Sequence, residues 1–318
     1  MARSKGLKVF AGNSNPKLAD AICHILELPL GHARIEKFPD GEIDVKIEED
    51  IRGVDCFFIQ STCPPVNDNL MEMLLFADAA CRASAERVTA VVPYYGYARK
   101  DRKDEGRVPI SAKLVANCMV QAGYDRVLTM DLHAAQIQGF FDIPVDHLYA
   151  APVIYNYFRD IRQKSGDKNI TIVAPDVGRS KVARGYAKRL HAGLAIVDKR
   201  RVSGEETEVL DMIGVVDGQT CVIIDDMVAT GGSIVDAAKA CKKFGANEIY
   251  VACTHPVFCG PAVDRLKSAP IKECIVTDTI PMEGKEFPSL KVLSVAELLA
   301  EAIRRIHFSE SVSLLFKG

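Results

Sequence analysis

The chain has 318 residues, 48% of them hydrophobic and 26% charged, with a formal net charge of −2. That length and apolar content provide for two α/β domains with sizeable cores, and the near-neutral balance excludes any general electrostatic attraction to nucleic acid or a membrane surface, so a basic site must be local. No apolar stretch approaches the ~18 residues of a membrane span, the start MARSKGLKVF has no signal-peptide core, and the ten cysteines form no CxxC pair, so a cytoplasmic protein with reduced core thiols is expected.

In chain order, residues 7–11 read as a strand. Asn15-Pro16 reads as a helix start, with Asn15 as N-cap and Pro16 at the first helical position. The stretch from Glu36 to Glu42 places Asp40-Gly41 between two strand-like runs, a hairpin signal, with Phe38 at its shoulder expected in the core. A strand over 54–61 and a Leu- and Met-rich helix over 67–84 follow. Strand 88–93 then runs into Tyr94-Tyr95-Gly96-Tyr97-Ala98-Arg99-Lys100-Asp101-Arg102-Lys103-Asp104-Glu105-Gly106-Arg107, aromatic at first and then densely charged. Such a run cannot bury itself, so a mobile surface loop is expected. It is either solvated and without a role or a lid over a polyphosphate. After helix 111–122 and strand 126–131, His133 lies just past a strand end, as a structural histidine or as a metal or phosphate candidate.

A similar order begins again after 146–152, where a domain boundary is expected. Helix 152–162 precedes strand 170–175, which ends in Pro175-Asp176 with a helix following. Strand 194–198 runs into Lys199-Arg200-Arg201; a helix start would prefer acids there, so these cations invite an anion. The focal stretch is 221–233. An apolar β-branched run ends in Asp225-Asp226, then Ala229-Thr230-Gly231-Gly232-Ser233 leads into an amphipathic pattern over 234–244. This reads as a buried parallel strand, a phosphate-sized loop and a helix. Strands 248–254 and 271–277 and helices from 261 and over 295–306 complete the chain. The alternating order in two halves predicts two doubly wound, mainly parallel sheets.

In an open α/β sheet, ligands sit at the carboxyl ends of the strands. A helix start offers free backbone N–H groups and a positive dipole end to an anion. Gly231 and Gly232 let the backbone come close, while Thr230 and Ser233 add hydroxyls. Asp225 and Asp226 suit sugar hydroxyls, or a metal reached through water. A capped helix start with a tight turn is the plainer alternative. Together with Arg99, His133, Asp176, Lys199 and Arg201, the set combines cations, a phosphate cradle and groups fit for Mg²⁺. No serine or cysteine is arranged with a histidine and an acid, and neither a Walker A nor a GxGxxG motif is present. The inventory suits phosphoryl-type transfer, which needs positioning and charge stabilisation more than covalent help.

The order Phe-x-Asp-Gly-Glu, Tyr-Ala-Arg, Asp-Leu-His-Ala, Pro-Asp, Lys-x-Arg and Asp-Asp, continued to the final Ser311–Phe316 segment, resembles the ribose-phosphate diphosphokinase (phosphoribosyl pyrophosphate synthetase) family nearly end to end. The resemblance implies two phosphoribosyltransferase-type domains: residues 1–147, joined by the tail 308–318, and residues 148–307, which carry the ribose 5-phosphate loop. It implies transfer of the diphosphoryl group of MgATP to the 1-hydroxyl of ribose 5-phosphate. In that family's terms, Phe38, Asp40 and Glu42 would hold adenine, reaching in from a neighbouring subunit. Arg99, Lys100 and Asp104 would serve ATP from the charged loop, and His133 and Asp176 the Mg²⁺ of MgATP. Lys199 and Arg201 would stabilise the transition state. Asp225 and Asp226 would meet ribose hydroxyls and a second Mg²⁺, and Thr230, Gly231, Gly232 and Ser233 the 5-phosphate. Arg52, Arg107, Ser311, Ser313 and Phe316 would make phosphate and ADP effectors, and a homohexamer is implied.

Departures from the family pattern are Lys100 in place of glutamine, Ala229 in place of a loop aspartate, Ser233 in place of threonine and Ala135 in place of a regulatory serine. Two other readings compete: a non-catalytic regulatory paralogue and a phosphoribosyltransferase that consumes the diphosphate. The retained Arg99, Lys199 and Arg201 argue against the first, and Phe38–Glu42 with His133 against the second.

Overall fold

A computed structural model describes residues 6–165, 169–201 and 208–316. The chain divides into two compact units. The first contains residues up to Tyr149, Thr279–Pro281 and the segment from Ser294 onward; the second contains Ala150–Asp278 and Met282–Leu293.

The first unit is built on five parallel strands, β1 (Leu7–Ala11), β4 (Asp55–Ile59), β5 (Arg87–Val92), β6 (Arg126–Met130) and β7 (Val145–Leu148), in the order β1-β4-β5-β6-β7. Strand β4 is buried along its whole length, as expected of a strand covered on both faces. Helix α1 (Pro16–Ile25) starts as its sequence predicts, with the Asn15 side chain accepting from Leu18 N at 3.3 Å and Pro16 in the first turn. Helices α2 (Val66–Arg82) and α3 (Ser111–Ala122) supply much of the core. Phe58 stacks on Phe76 at 4.0 Å and Phe10 meets Phe76 at 5.3 Å, and each such burial contributes about 2 kcal/mol. The antiparallel hairpin β2 (Ala33–Lys37) and β3 (Ile43–Ile47) packs on α2.

The second unit has seven strands: β8 (Ile170–Ala174), β9 (Gly193–Arg201), β10 (Glu208–Ile213), β11 (Thr220–Val228), β12 (Glu248–Pro256), β13 (Glu273–Thr277) and β14 (Leu290–Leu293). Their order is β10-β9-β8-β11-β12-β13-β14, and every pairing is parallel except β10 with β9. From β8 the chain moves to one side, through β9 and β10; from β11 it moves to the other. The β8/β11 pair is therefore the topological switch point, where open α/β sheets place their ligands. Helices α4 (Ala151–Ser165), α5 (Ser180–Leu190), α6 (Gly232–Lys243) and α7 (Ala262–Ser268) complete this unit.

Helix α8 (Ala296–His307) belongs to the first unit, although the sequence reading gave residues up to 307 to the second. It packs on α1, and its end is tied to the sheet. Arg87 donates to the Ile306 carbonyl at 3.1 Å and bridges to the buried Asp55 carboxylate, which also meets His307 Nδ1 at 2.8 Å. Strands β7, β10 and β14 escaped the sequence reading. All three are edge strands, and β7 and β14 are only four residues long and partly buried, so their apolar pattern is weak. No described helix is long and apolar enough to cross a membrane.

Candidate active site

Strand β11 carries the focal motif, but the acids lie within the strand, not after it. Its pairing with β8 ends at Ile223, whereas its pairing with β12 continues to Val228. Asp225 and Asp226 therefore pass the carboxyl end of β8 while still held on the β12 side. Burial raises the Asp225 carboxyl to about 8, with the hydrogen-bonded Asp226 as the second cause and Arg179 opposing. Asp225 Oδ1 accepts from Asp226 N at 2.8 Å. Arg179 Nε lies 2.9 Å from Asp225 Oδ1, and Arg179 Nη2 lies 2.5 Å from Asp226 Oδ1.

Only residues 229–231 separate β11 from α6. Gly231 is the N-cap at φ +76°, a left-handed conformation that costs a residue with a Cβ about 1–2 kcal/mol. No side chain caps the helix, so the first-turn amides are not taken by a cap hydroxyl or carboxylate. The turn is fixed from behind by Cys259 N donating to Ala229 O at 2.9 Å and by Arg265 Nη1 donating to Thr230 O at 3.1 Å. Thr230 and Ser233 are exposed. This is a helix start with an unfilled cap beside an acid pair, a geometry able to take an anion.

Asp176 follows β8, exposed, and its Oδ1 accepts from Arg179 N at 3.1 Å. Sequence reasoning missed Arg179 and Arg265. Arg179 stands three residues after Asp176, a weak local signal; Arg265 has none, because its partner lies 35 positions away. Lys199 and Arg201 end strand β9, next to β8; their side chains lie outside the described residues.

In the first unit, β5 and β6 are neighbours, and the charged loop and the His133 segment leave their carboxyl ends. Gln136 donates to Asp101 at 2.5 Å, linking the two. His133 is partly buried and follows Asp131, which has φ +39°. The charged loop is only half as expected. Its aromatic part is mostly packed: Tyr94, Tyr95 and Ala98 are buried, and only Tyr97 is exposed. Tyr95 Oη donates to Ala112 O at 3.0 Å, and Gly96 N donates to Thr62 Oγ1 at 2.6 Å. A Cβ on Gly96 would stand 2.5 Å from Thr62 O. From Arg99 on, the loop is largely exposed, with Lys100 Nζ 3.0 and 2.8 Å from the two Asp104 oxygens. Arg107 is exposed at φ +64°.

Phe38 is 50% exposed, which corrects its expected place in the core. The hairpin tip closes on itself through Phe38 N to Glu42 O at 2.8 Å, and Asp40 Oδ1 accepts from Glu42 N at 3.1 Å. The tip thus lifts the ring away from the core and leaves Asp40 and Glu42 exposed beside it. Arg52 is exposed and donates to Ser84 Oγ at 3.0 Å. Ser311 and Ser313 are exposed on the tail, and Ser311 O accepts from Arg305 at 2.9 Å. The side chain of Phe316 lies outside the described residues. Among the described residues, no group of three or more His, Cys, Asp or Glu side chains is arranged to hold a metal ion.

An acid pair and a glycine-capped anion cradle at the switch point of a mainly parallel sheet define an α/β protein of the phosphoribosyltransferase type. Residues 7–123 match the N-terminal domain of ribose phosphate pyrophosphokinase, and residues 201–317 match the phosphoribosyl synthetase-associated domain. The chain belongs to the ribose-phosphate pyrophosphokinase family. It is 56% identical over 313 residues to the ribose-phosphate pyrophosphokinase of Rhodopirellula baltica, covering 98% of both chains. It is 53% identical over 318 residues to that of Caldanaerobacter subterraneus subsp. tengcongensis, covering 99% of this chain and 100% of the relative. The crystal structure of phosphoribosylpyrophosphate synthetase from Mycobacterium smegmatis superimposes with a TM-score of 0.90 at 42% identity, over 96% of this chain and 100% of that one.

Proposed function

We propose that the chain transfers the diphosphoryl group of ATP to the 1-hydroxyl of ribose 5-phosphate, giving phosphoribosyl diphosphate and AMP. The observation that carries this is the acid pair beside the 229–233 turn at the β8/β11 switch point, in a chain similar to pyrophosphokinases over nearly its whole length. The sugar's 1-oxygen forms a bond to the β-phosphorus while the bond from that phosphorus to the α,β-bridging oxygen breaks, and AMP leaves with that oxygen. Such a transfer needs orientation and charge stabilisation rather than a covalent intermediate.

The roles proposed rest on the family resemblance, with the placement of the described residues as support. Amides of the α6 start, with Thr230 and Ser233, bind the 5-phosphate. Asp225 and Asp226 accept the ribose hydroxyls. Arg99 and Lys100 serve the ATP phosphates, with Asp104 further along the same loop, and the exposed Phe38, with Asp40 and Glu42, reaches from a neighbouring subunit of a homohexamer to stack on and hydrogen-bond the adenine of ATP. Lys199 and Arg201 stabilise the charge that develops on the transferring group. A divalent cation fits this donor set, because Asp225 is a buried carboxyl held well above its usual range beside a second carboxyl, and a cation relieves that. Mg²⁺ is the proposed ion at the acid pair, and His133 and Asp176 are proposed to hold a separate ion, the Mg²⁺ of MgATP; each would neutralise phosphate oxygens. Arg52, Arg107, Ser311, Ser313 and Phe316 are proposed to read phosphate and ADP, and a cytoplasmic setting is proposed.

Phosphorus NMR of the protein with MgATP and ribose 5-phosphate tests this reading. AMP together with a new diphosphorylated sugar is expected; ADP alone, or no turnover, overturns it. Lys199→Ala should lower kcat by about 10³-fold with little change in KM, and unchanged turnover would remove Lys199 from the transition state.

A further inference from the structure

We propose that Arg179 competes with an incoming divalent cation for the Asp225–Asp226 pair, so that the substrate-free site neutralises itself. This rests on the reading of the acid pair as a sugar and cation site. One guanidinium reaches both carboxylates, at 2.9 and 2.5 Å, and takes Oδ1 of each. All three side chains are largely withdrawn from solvent, at 17%, 13% and 9% exposure, so their charges are weakly screened. The placement is built into the fold. Asp176, at the end of β8, accepts from the backbone N–H of Arg179 and closes the short turn 177–179 that presents the side chain toward β11.

A doubly charged ion drawn to these carboxylates meets the guanidinium within a few ångströms. Lysine in such a conflict could lose its proton; arginine cannot. The guanidinium must therefore move off the pair before a cation settles there. Arg179 is a positioning residue in this account: it keeps two buried acids compensated while the site is empty and yields them when ligands arrive.

The test uses Mn²⁺ alone as the probe, titrated into the full-length protein without nucleotide or sugar and followed by the electron paramagnetic resonance signal of the free ion. Arg179→Gln should bind Mn²⁺ roughly tenfold more tightly at one site, and Arg179→Lys, which keeps the charge but cannot bridge both acids, should gain less. The gain should vanish when Asp225→Asn and Asp226→Asn are added. Equal or weaker binding in Arg179→Gln, or a gain that survives loss of both acids, overturns the proposal. If Arg179→Gln does not fold, the absence of any gain in Arg179→Lys does the same. Phosphorus NMR of the parent protein separates the two claims: no phosphoribosyl diphosphate together with the Mn²⁺ gain sinks the catalytic reading and leaves the competition standing.

Discussion

Two segments leave the carboxyl ends of central parallel strands, and they are built in opposite ways. After β11 the chain needs only residues 229–231 to reach α6, and the turn is held by Gly231 in a left-handed conformation, by a backbone bond from Cys259 and by the Arg265 guanidinium. After β5 it takes residues 93–110 to reach α3, buried as far as Ala98 apart from the exposed Tyr97, and then exposed and charged. The difference teaches that one position in a fold can serve an anion in two ways. A short turn presents fixed amides at no cost of reorganisation on binding. A long loop anchored at its root presents exposed charged side chains, and ordering such side chains on any ligand costs conformational entropy. The sheets differ correspondingly: the second unit winds outward in both directions from β8 and β11, whereas the first adds its strands in one direction from β1.

Several substitutions break or sharpen this contrast. The largest effect is expected from Asp225→Asn with Asp226→Asn, which should lower kcat/KM for ribose 5-phosphate by about 100-fold or more while the KM for ATP changes little; an equal effect on both substrates would erase the division of labour. Next is Gly231→Ala. Forcing a Cβ into φ +76° should cost about 1–2 kcal/mol and raise the KM for ribose 5-phosphate by roughly tenfold. Gly106→Ala, in the charged loop with nothing within 4 Å of its added Cβ, should leave both KM values alone.

The anchored and exposed halves of the long loop should separate as well. Gly96→Ala pushes a Cβ to 2.5 Å from Thr62 O and should lower stability by about 1 kcal/mol in thermal melts. Lys100→Ala removes an exposed ion pair, so the melting temperature should hold while the KM for ATP rises about threefold; a clear fall in melting temperature would mean that the charged half is structural. The smallest effect lies outside both loops. Glu301 on α8 is held at about 2 by hydrogen bonds first from Arg304 and then from Arg305. A depressed carboxyl stabilises the fold above its ordinary value and loses that contribution as pH falls toward 2. Between pH 5 and 3, Glu301→Gln should therefore lose about 1 °C less in melting temperature than the parent.

Much of the fold was legible because it is written in local patterns. Asn15-Pro16, the buried run before Asp225 and the Asp40-Gly41 turn each act through neighbours in sequence, and each forms where it was expected. Phe38 was misplaced because an apolar ring in a hairpin ordinarily turns inward, and only the closure of the 38–42 tip shows it turned out. The charged loop was read as one piece because composition averages over it; the packing of Tyr94 and Tyr95 against the core divides it in two.

From sequence alone came the strand and helix periods, the glycine turn before α6 and the chemistry of the acids and cations, since these depend on residue type and spacing along the chain. Only the tertiary structure decided that β8 lies beside β11, that the acids stay within their strand beyond the end of β8, and that Arg179 spans both of them. The reason is physical: strands pair through main-chain hydrogen bonds that almost any residue can make, and that pairing brings Arg179 and Asp225 together from 46 positions apart, so no local pattern encodes which guanidinium will meet which carboxylate.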